Sequence, residues 1–180
     1  MKTTKHIQLT ELKELTSAIS PVQCNYFVEA CMVALENQGH QSPIQLIVDG
    51  DYEGTFTFSW DSKIQKEGWQ EDRISVENGS IAVAFFLILE LTDFQIAQQS
   101  IIGTGFDYWL GYKSNHPNYN PDNFLNAKLE ISGINRGSET VINQRVRQKI
   151  RQIGLARDFD VPAFVIVTEF GTPKSIIIKL

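Results

Sequence analysis

Nine consecutive apolar residues, Ile81 to Leu89, sit inside a stretch from Val76 to Leu91 whose only charges are Glu77 and Glu90. A helix that apolar has no face to give to water, so it is expected to be largely buried. Gly79, Ala82 and Ala84 permit close packing, while Phe85, Leu87, Ile88 and Leu91 fill a core. The run is far short of the roughly 18 apolar residues that a bilayer crossing needs. With 180 residues, 42% of them hydrophobic, the chain can bury one sizeable core without staples. Its N-terminus, Met-Lys-Thr-Thr-Lys-His, has no apolar signal segment, which leads us to expect a soluble, cytoplasmic, single-domain protein with no membrane contact.

The other elements follow from periodicity. Residues 21–38 place Phe27, Ala30, Cys31, Ala34 and Leu35 at helical spacing, ending near Gly39. Ile44–Val48 and Thr55–Trp60 read as strands joined by the turn-forming Asp49-Gly50-Asp51-Tyr52-Glu53-Gly54, hence a β-hairpin. The polar stretch 61–73 is expected to be a loop or short helix. Strands are then expected near 94–100, 105–112, 126–132 and 162–169, with a last apolar run at 175–179. An asparagine- and proline-rich loop at 114–123 separates the second and third of these. A helix over 139–153 follows the third, with Val141, Ile142, Val146 and Ile150 on its apolar side and Gly154 as its stop. The chain is therefore a mixed α/β (α+β) domain. An N-terminal helix and hairpin (1–74) precede a core (75–180) of helix, three strands, helix and strand.

Charge and cysteine usage narrow the function. A net charge of −5 disfavours a protein that coats nucleic acid nonspecifically. Yet Arg136, Arg145, Arg147, Lys149, Arg151 and Arg157 face the single acid Glu139 over 136–157, which leaves room for a local basic patch. Cys24 and Cys31 lie two helical turns apart, too far for a disulfide, and are expected to be reduced core residues. His6, His40 and His116 are scattered and form no zinc motif. Asp49, Asp51 and Glu53 alternate, but without an EF-hand's glycine and distal glutamate, so a hairpin turn explains them. Trp60, Trp69, Trp109 and Tyr108 are expected in the core, stacking on bases being the minority reading. Gly103-Thr-Gly105 precedes a strand rather than a helix and so is no phosphate-binding loop.

Two carboxylates stand out. Strand alternation puts Asp107 and Trp109 on one face and Phe106, Tyr108 and Leu110 on the other. In the next strand Lys128, Glu130 and Ser132 share a face. If the two strands are neighbours, Asp107 and Glu130 converge, and such a pair is usually tolerated because a hard cation, Mg²⁺ or Mn²⁺, lies between them. Lys128 would supply a positive charge beside that ion. The competing readings are structural. Asp107 accepts hydrogen bonds from loop amides, Glu130 pairs with Lys128 or an arginine of the following helix, and Glu77 stabilises the first turn of its helix.

The order of these elements, together with Gly103-Thr-Gly-Phe-Asp107-Tyr-Trp and Lys128-Leu-Glu130-Ile-Ser132, resembles the PD-(D/E)XK, or restriction-endonuclease-like, nuclease superfamily over about Ser75 to Ser175. The resemblance implies a metal-dependent nuclease acting on DNA or RNA, with a role such as defence against foreign nucleic acid. It also implies an αβββαβ core with Asp107 and Glu130 as metal ligands and catalytic residues, and Glu77 as the accessory helix acid. Arg145, Lys149 and Gln152, at i, i+4 and i+7 on one helical face, look similar to the polar or basic side chains that helix lends to the site. The chain has Ser132 where the family motif puts lysine, and Lys128 is the candidate substitute. The whole chain is also similar to an uncharacterised group of bacterial proteins with GTGFDYWLG, LEISGI and EFGTPKS runs. Ser132 and the acidic net charge support an alternative: a catalytically silent copy of the fold serving as a protein-binding or regulatory subunit. Its partner surfaces would then be the N-terminal helix and hairpin and the C-terminal strand.

Overall fold

Ser20 caps a helix whose first residue is Pro21, its hydroxyl accepting from Gln23 N–H at 3.2 Å, and the helix α2 runs over Pro21–Asn37. Before it come a strand β1 (Thr3–Gln8) and a one-turn helix α1 (Leu12–Leu15). After it come β2 (Ile44–Gly50), β3 (Gly54–Ser59), α3 (Asp72–Leu91), β4 (Phe94–Gln99), β5 (Tyr108–Tyr112), β6 (Ala127–Ile134), α4 (Glu139–Gly154), β7 (Ala163–Glu169) and β8 (Lys174–Lys179). The computed structural model describes residues 3–61, 63–155 and 160–180. Arg157, last of the basic stretch, lies outside the described residues.

The eight strands among the described residues join one mixed sheet in the order β1-β3-β2-β8-β7-β6-β5-β4. The strands β4, β5 and β6 form an antiparallel meander, α4 crosses over, and β7 returns parallel to β6. The hairpin β2–β3 forms as expected and joins the rest through parallel pairing of β2 with β8. α2 and α3 cover one face of the sheet, packing Phe27, Phe85 and Ile88 with Leu129, Phe164 and Ile177. α4 covers part of the other face with Ile142, Val146 and Ile153 against Trp109, Val165 and Val167. The chain is thus a mixed α/β protein with one continuous sheet.

α3 fulfils the role its composition demands. By length and composition it would also satisfy a membrane span, with 61% of that window buried inside the molecule. Gly79 is what lets α2 approach: a Cβ there would lie 2.7 Å from Cys31 Cα. Both cysteines are free and buried.

One strand is added and three expectations are corrected. β1 was not foreseen, because Thr3-Thr-Lys-His-Ile-Gln is polar; it pairs parallel to β3 at the edge of the sheet. α3 begins at Asp72, with Glu71 as its cap, so Glu77 lies beyond the first turn and cannot serve there as a partner of the helix dipole. Alternation starts only at Tyr108: Phe106 packs edge-on against Trp109, ring centroids 4.8 Å apart, on the α4 side rather than with Tyr108 and Leu110. Finally β8, which the silent alternative would offer to a second chain, lies between β7 and β2 with both edges paired.

Candidate active site

Gly103 and Gly105 adopt positive φ, 95° and 85°, which turns the β4–β5 loop back on itself. The loop closes with Ser100 N–H donating to the Asp107 carbonyl at 2.8 Å, while Asp107 N–H donates to Leu129 O at 2.9 Å. Asp107 is thereby fixed at the mouth of β5, next to β6. Its Oδ2 accepts the Ile131 N–H at 2.8 Å, continuing the ladder by a side chain where the β5 backbone no longer pairs. This is the structural role weighed for Asp107, with the donor on β6 rather than in the loop.

Glu130 projects from β6 toward α4 and is 1% exposed. Its Oε1 accepts from Lys149 Nζ at 2.5 Å and from Gln152 Nε2 at 2.9 Å, and Gln152 also donates to the Gly105 carbonyl at 3.4 Å. α4 therefore ties Glu130 to the loop that carries Asp107. Glu130 Oε2 is buried and has no hydrogen-bond donor among the described residues. The Asp107 carboxylate interacts with Glu130, and two ionised carboxylates can only accept. A proton on Glu130 lets the two carboxyls hydrogen-bond each other. Burial, and then the Asp107 charge, push Glu130 up to about 7, against the opposing pull of Lys149. Burial also raises Asp107, opposed by the Ile131 N–H and by Lys149. The pair holds its second negative charge only at a cost, and a proton or a cation relieves it.

A cleft of about 890 Å³ opens at Asp107, between α3, β6 and α4, with Glu130 buried outside its lining. Asp107, Ile131, Ser132, Glu77, Arg145 and Lys149 all line it, as do Asp72, Arg73 and Arg136. Glu77 is engaged by Arg73 at 2.8 Å one turn earlier, a mostly exposed pair. Arg145 donates to Ser132 Oγ at 2.8 Å. The helical face expected from spacing is therefore real: Arg145, Lys149 and Gln152 meet Ser132, Glu130 and the 105 loop in turn. Arg147 and Arg151 are exposed and do not line the cleft.

Sequence reasoning expected the cation beside the carboxylates to be Lys128. That residue is buried on the same strand, and the lysine seen to bond Glu130 is Lys149 of α4. Glu130 does find its ion partner on the following helix, a lysine where an arginine was considered. The Ile131 amide and the Gly105 carbonyl went unforeseen, since backbone partners leave no residue-type signal. Among the described residues no group of three or more histidine, cysteine, aspartate or glutamate side chains gathers to hold a metal. The oxygens present still suit Mg²⁺ or Mn²⁺, which is commonly held by one or two carboxylates and keeps several waters. The buried, donorless Glu130 Oε2 beside Asp107 is the observation that fits such an ion. No family model, curated protein or solved structure matches the chain.

Proposed function

We propose that the protein is a metal-dependent phosphodiesterase acting on DNA or RNA, built on a restriction-endonuclease-like core comprising α3, β4–β6, α4 and β7. The reading rests above all on one observation: two carboxylates from adjacent segments share a site in which one buried oxygen has no donor among the described residues, with Asp107 reaching a cleft that Arg145 and Lys149 also line and Glu130 buried beside it. Repulsion of that kind is costly and is relieved by a hard divalent cation. The meander followed by a parallel return strand supports the same core.

In this reading Asp107 and Glu130 hold Mg²⁺ or Mn²⁺, which supplies an acidified water and positive charge for a phosphate. Lys149 and Gln152 fix Glu130 Oε1 and leave Oε2 for the ion. The Ile131 N–H holds Asp107 Oδ2. Glu77, on the opposite wall, is the accessory acid, released from Arg73 when needed. Lys149 takes over the electrostatic role first assigned to Lys128. A cytoplasmic protein with a role in defence against foreign nucleic acid remains the corresponding biological setting.

One observation favours the silent alternative. Lys149 neutralises Glu130 internally and the Ile131 amide satisfies Asp107, so the site is partly closed without any ion. Calorimetric titration of Mn²⁺ into the protein and into Glu130→Gln separates the two readings. The nuclease reading expects a binding isotherm that the variant loses. Equal heats for both proteins, or none, would leave a protein-binding or regulatory subunit as the better account.

A further inference from the structure

We propose that Ser132 is a positioning residue that seats Arg145 to grip a backbone phosphodiester of a nucleic-acid strand, at a position next to the carboxylate pair. The cleft wall of α4 presents Val141, Arg145 and Lys149 at intervals of four, one side of the helix. Lys149 is spent on Glu130. Arg145 differs. It bonds a neutral hydroxyl, Ser132 Oγ at 2.8 Å, and among the described residues no carboxylate pairs with it. One terminal nitrogen is engaged and the guanidinium keeps its full charge in the cleft.

Ser132 is itself only 7% exposed, so the hydroxyl is a fixed anchor on a central strand rather than a mobile surface group. A guanidinium held at one nitrogen retains a planar fork of donors, the geometry that matches two oxygens of a phosphate. The volume of the cleft, about 890 Å³, admits more than the group at the carboxylates. Residue 132 is thus not an empty place on β6: its small side chain leaves room for a cation delivered from α4. A lysine there would put a second positive charge against Arg145.

This inference rests on nucleic acid being the ligand of the cleft but not on its being cut. The test is fluorescence anisotropy with short labelled DNA and RNA oligonucleotides, titrated in NaCl, for the wild type, Arg145→Gln, Ser132→Ala and Ser132→Thr. Arg145→Gln is expected to weaken binding on the order of tenfold. It should also reduce the slope of log affinity on log salt by about 0.7 to 0.9, the share of one phosphate contact. Ser132→Ala keeps the charge, so it should weaken binding several-fold with little change of slope, and Ser132→Thr should restore it. A general folding defect would not produce that split. Repeating the series on the wild type and Arg145→Gln in EDTA and then in Mn²⁺ keeps the two claims apart: Arg145-dependent binding in both, with the oligonucleotide still intact under Mn²⁺, supports the seat and sinks the nuclease reading. Unchanged affinity and slope in Arg145→Gln, or no oligonucleotide binding by the wild type, would overturn the seat.

Discussion

Glu130→Gln should make the metal-free protein more stable in mildly alkaline buffer and leave it nearly unchanged in acid. Glu130 is almost fully buried beside Asp107, and its carboxyl is held up at about 7 against an ordinary 4.5. At about 1.4 kcal/mol per pH unit, ionising it inside the fold costs roughly 3 kcal/mol. The sign follows from proton binding: between pH 4.5 and 7 the folded chain keeps a proton that the unfolded chain releases, so stability from this group falls as pH rises through that window. Below it the carboxyl is neutral in both states and the cost vanishes. Glutamine is neutral throughout and can still accept from Lys149. The variant should therefore match the wild type near pH 4.5 and exceed it by up to roughly 3 kcal/mol at pH 8. For a chain of this size that is a rise in Tm of about 6 to 12 °C. Urea denaturation in EDTA at several pH values measures it. A difference between the two proteins that stays flat from pH 4.5 to 8 would refute a buried, costly charge at Glu130.

Lys149→Met removes the cation that opposes the rise at Glu130, so the pair should hold its proton to still higher pH, and stability at pH 8 should drop by about 1 to 3 kcal/mol, read by the same denaturation series. Gly133→Ala should cost roughly 1 to 3 kcal/mol in thermal or urea unfolding. A Cβ there would lie 2.5 Å from Val76 O and push α3, with Glu77, away from β6. Glu169→Gln should lose a similar amount. The buried Glu169 carboxylate accepts from Gly137 N–H at 3.2 Å, Gly171 N–H at 2.8 Å and Thr172 N–H at 2.8 Å, and an amide NH₂ would face one of those donors.

Where the sequence was legible, a local physical pressure made it so. The buried helix around Ile81–Leu89, the apolar spacing of the helix over 21–38 and the hairpin turn at 49–54 are each dictated by neighbours in the chain. Glu130 was visible because a carboxylate between Leu129 and Ile131 in an apolar strand demands a partner. The common face of Arg145, Lys149 and Gln152 followed from helical spacing. What depended on tertiary geometry was not legible. The pairing of β2 with β8 joins opposite ends of the chain, and it puts the C-terminal strand in the middle of the sheet. The polar first turn of α3 hid its start, which misplaced Glu77. The pairing of Lys149 with Glu130 is a matter of how α4 crosses the sheet. Ser132, an apparent deficit in the motif, gained a partner only when α4 was in place above it.

The central claim is tested most directly by incubating labelled DNA and RNA with the protein in Mg²⁺, Mn²⁺ or EDTA, alongside Asp107→Ala and Glu130→Ala. The account predicts phosphodiester cleavage that requires the divalent ion and disappears in both variants. Intact substrate under every metal condition, or cleavage that survives either substitution, would contradict it.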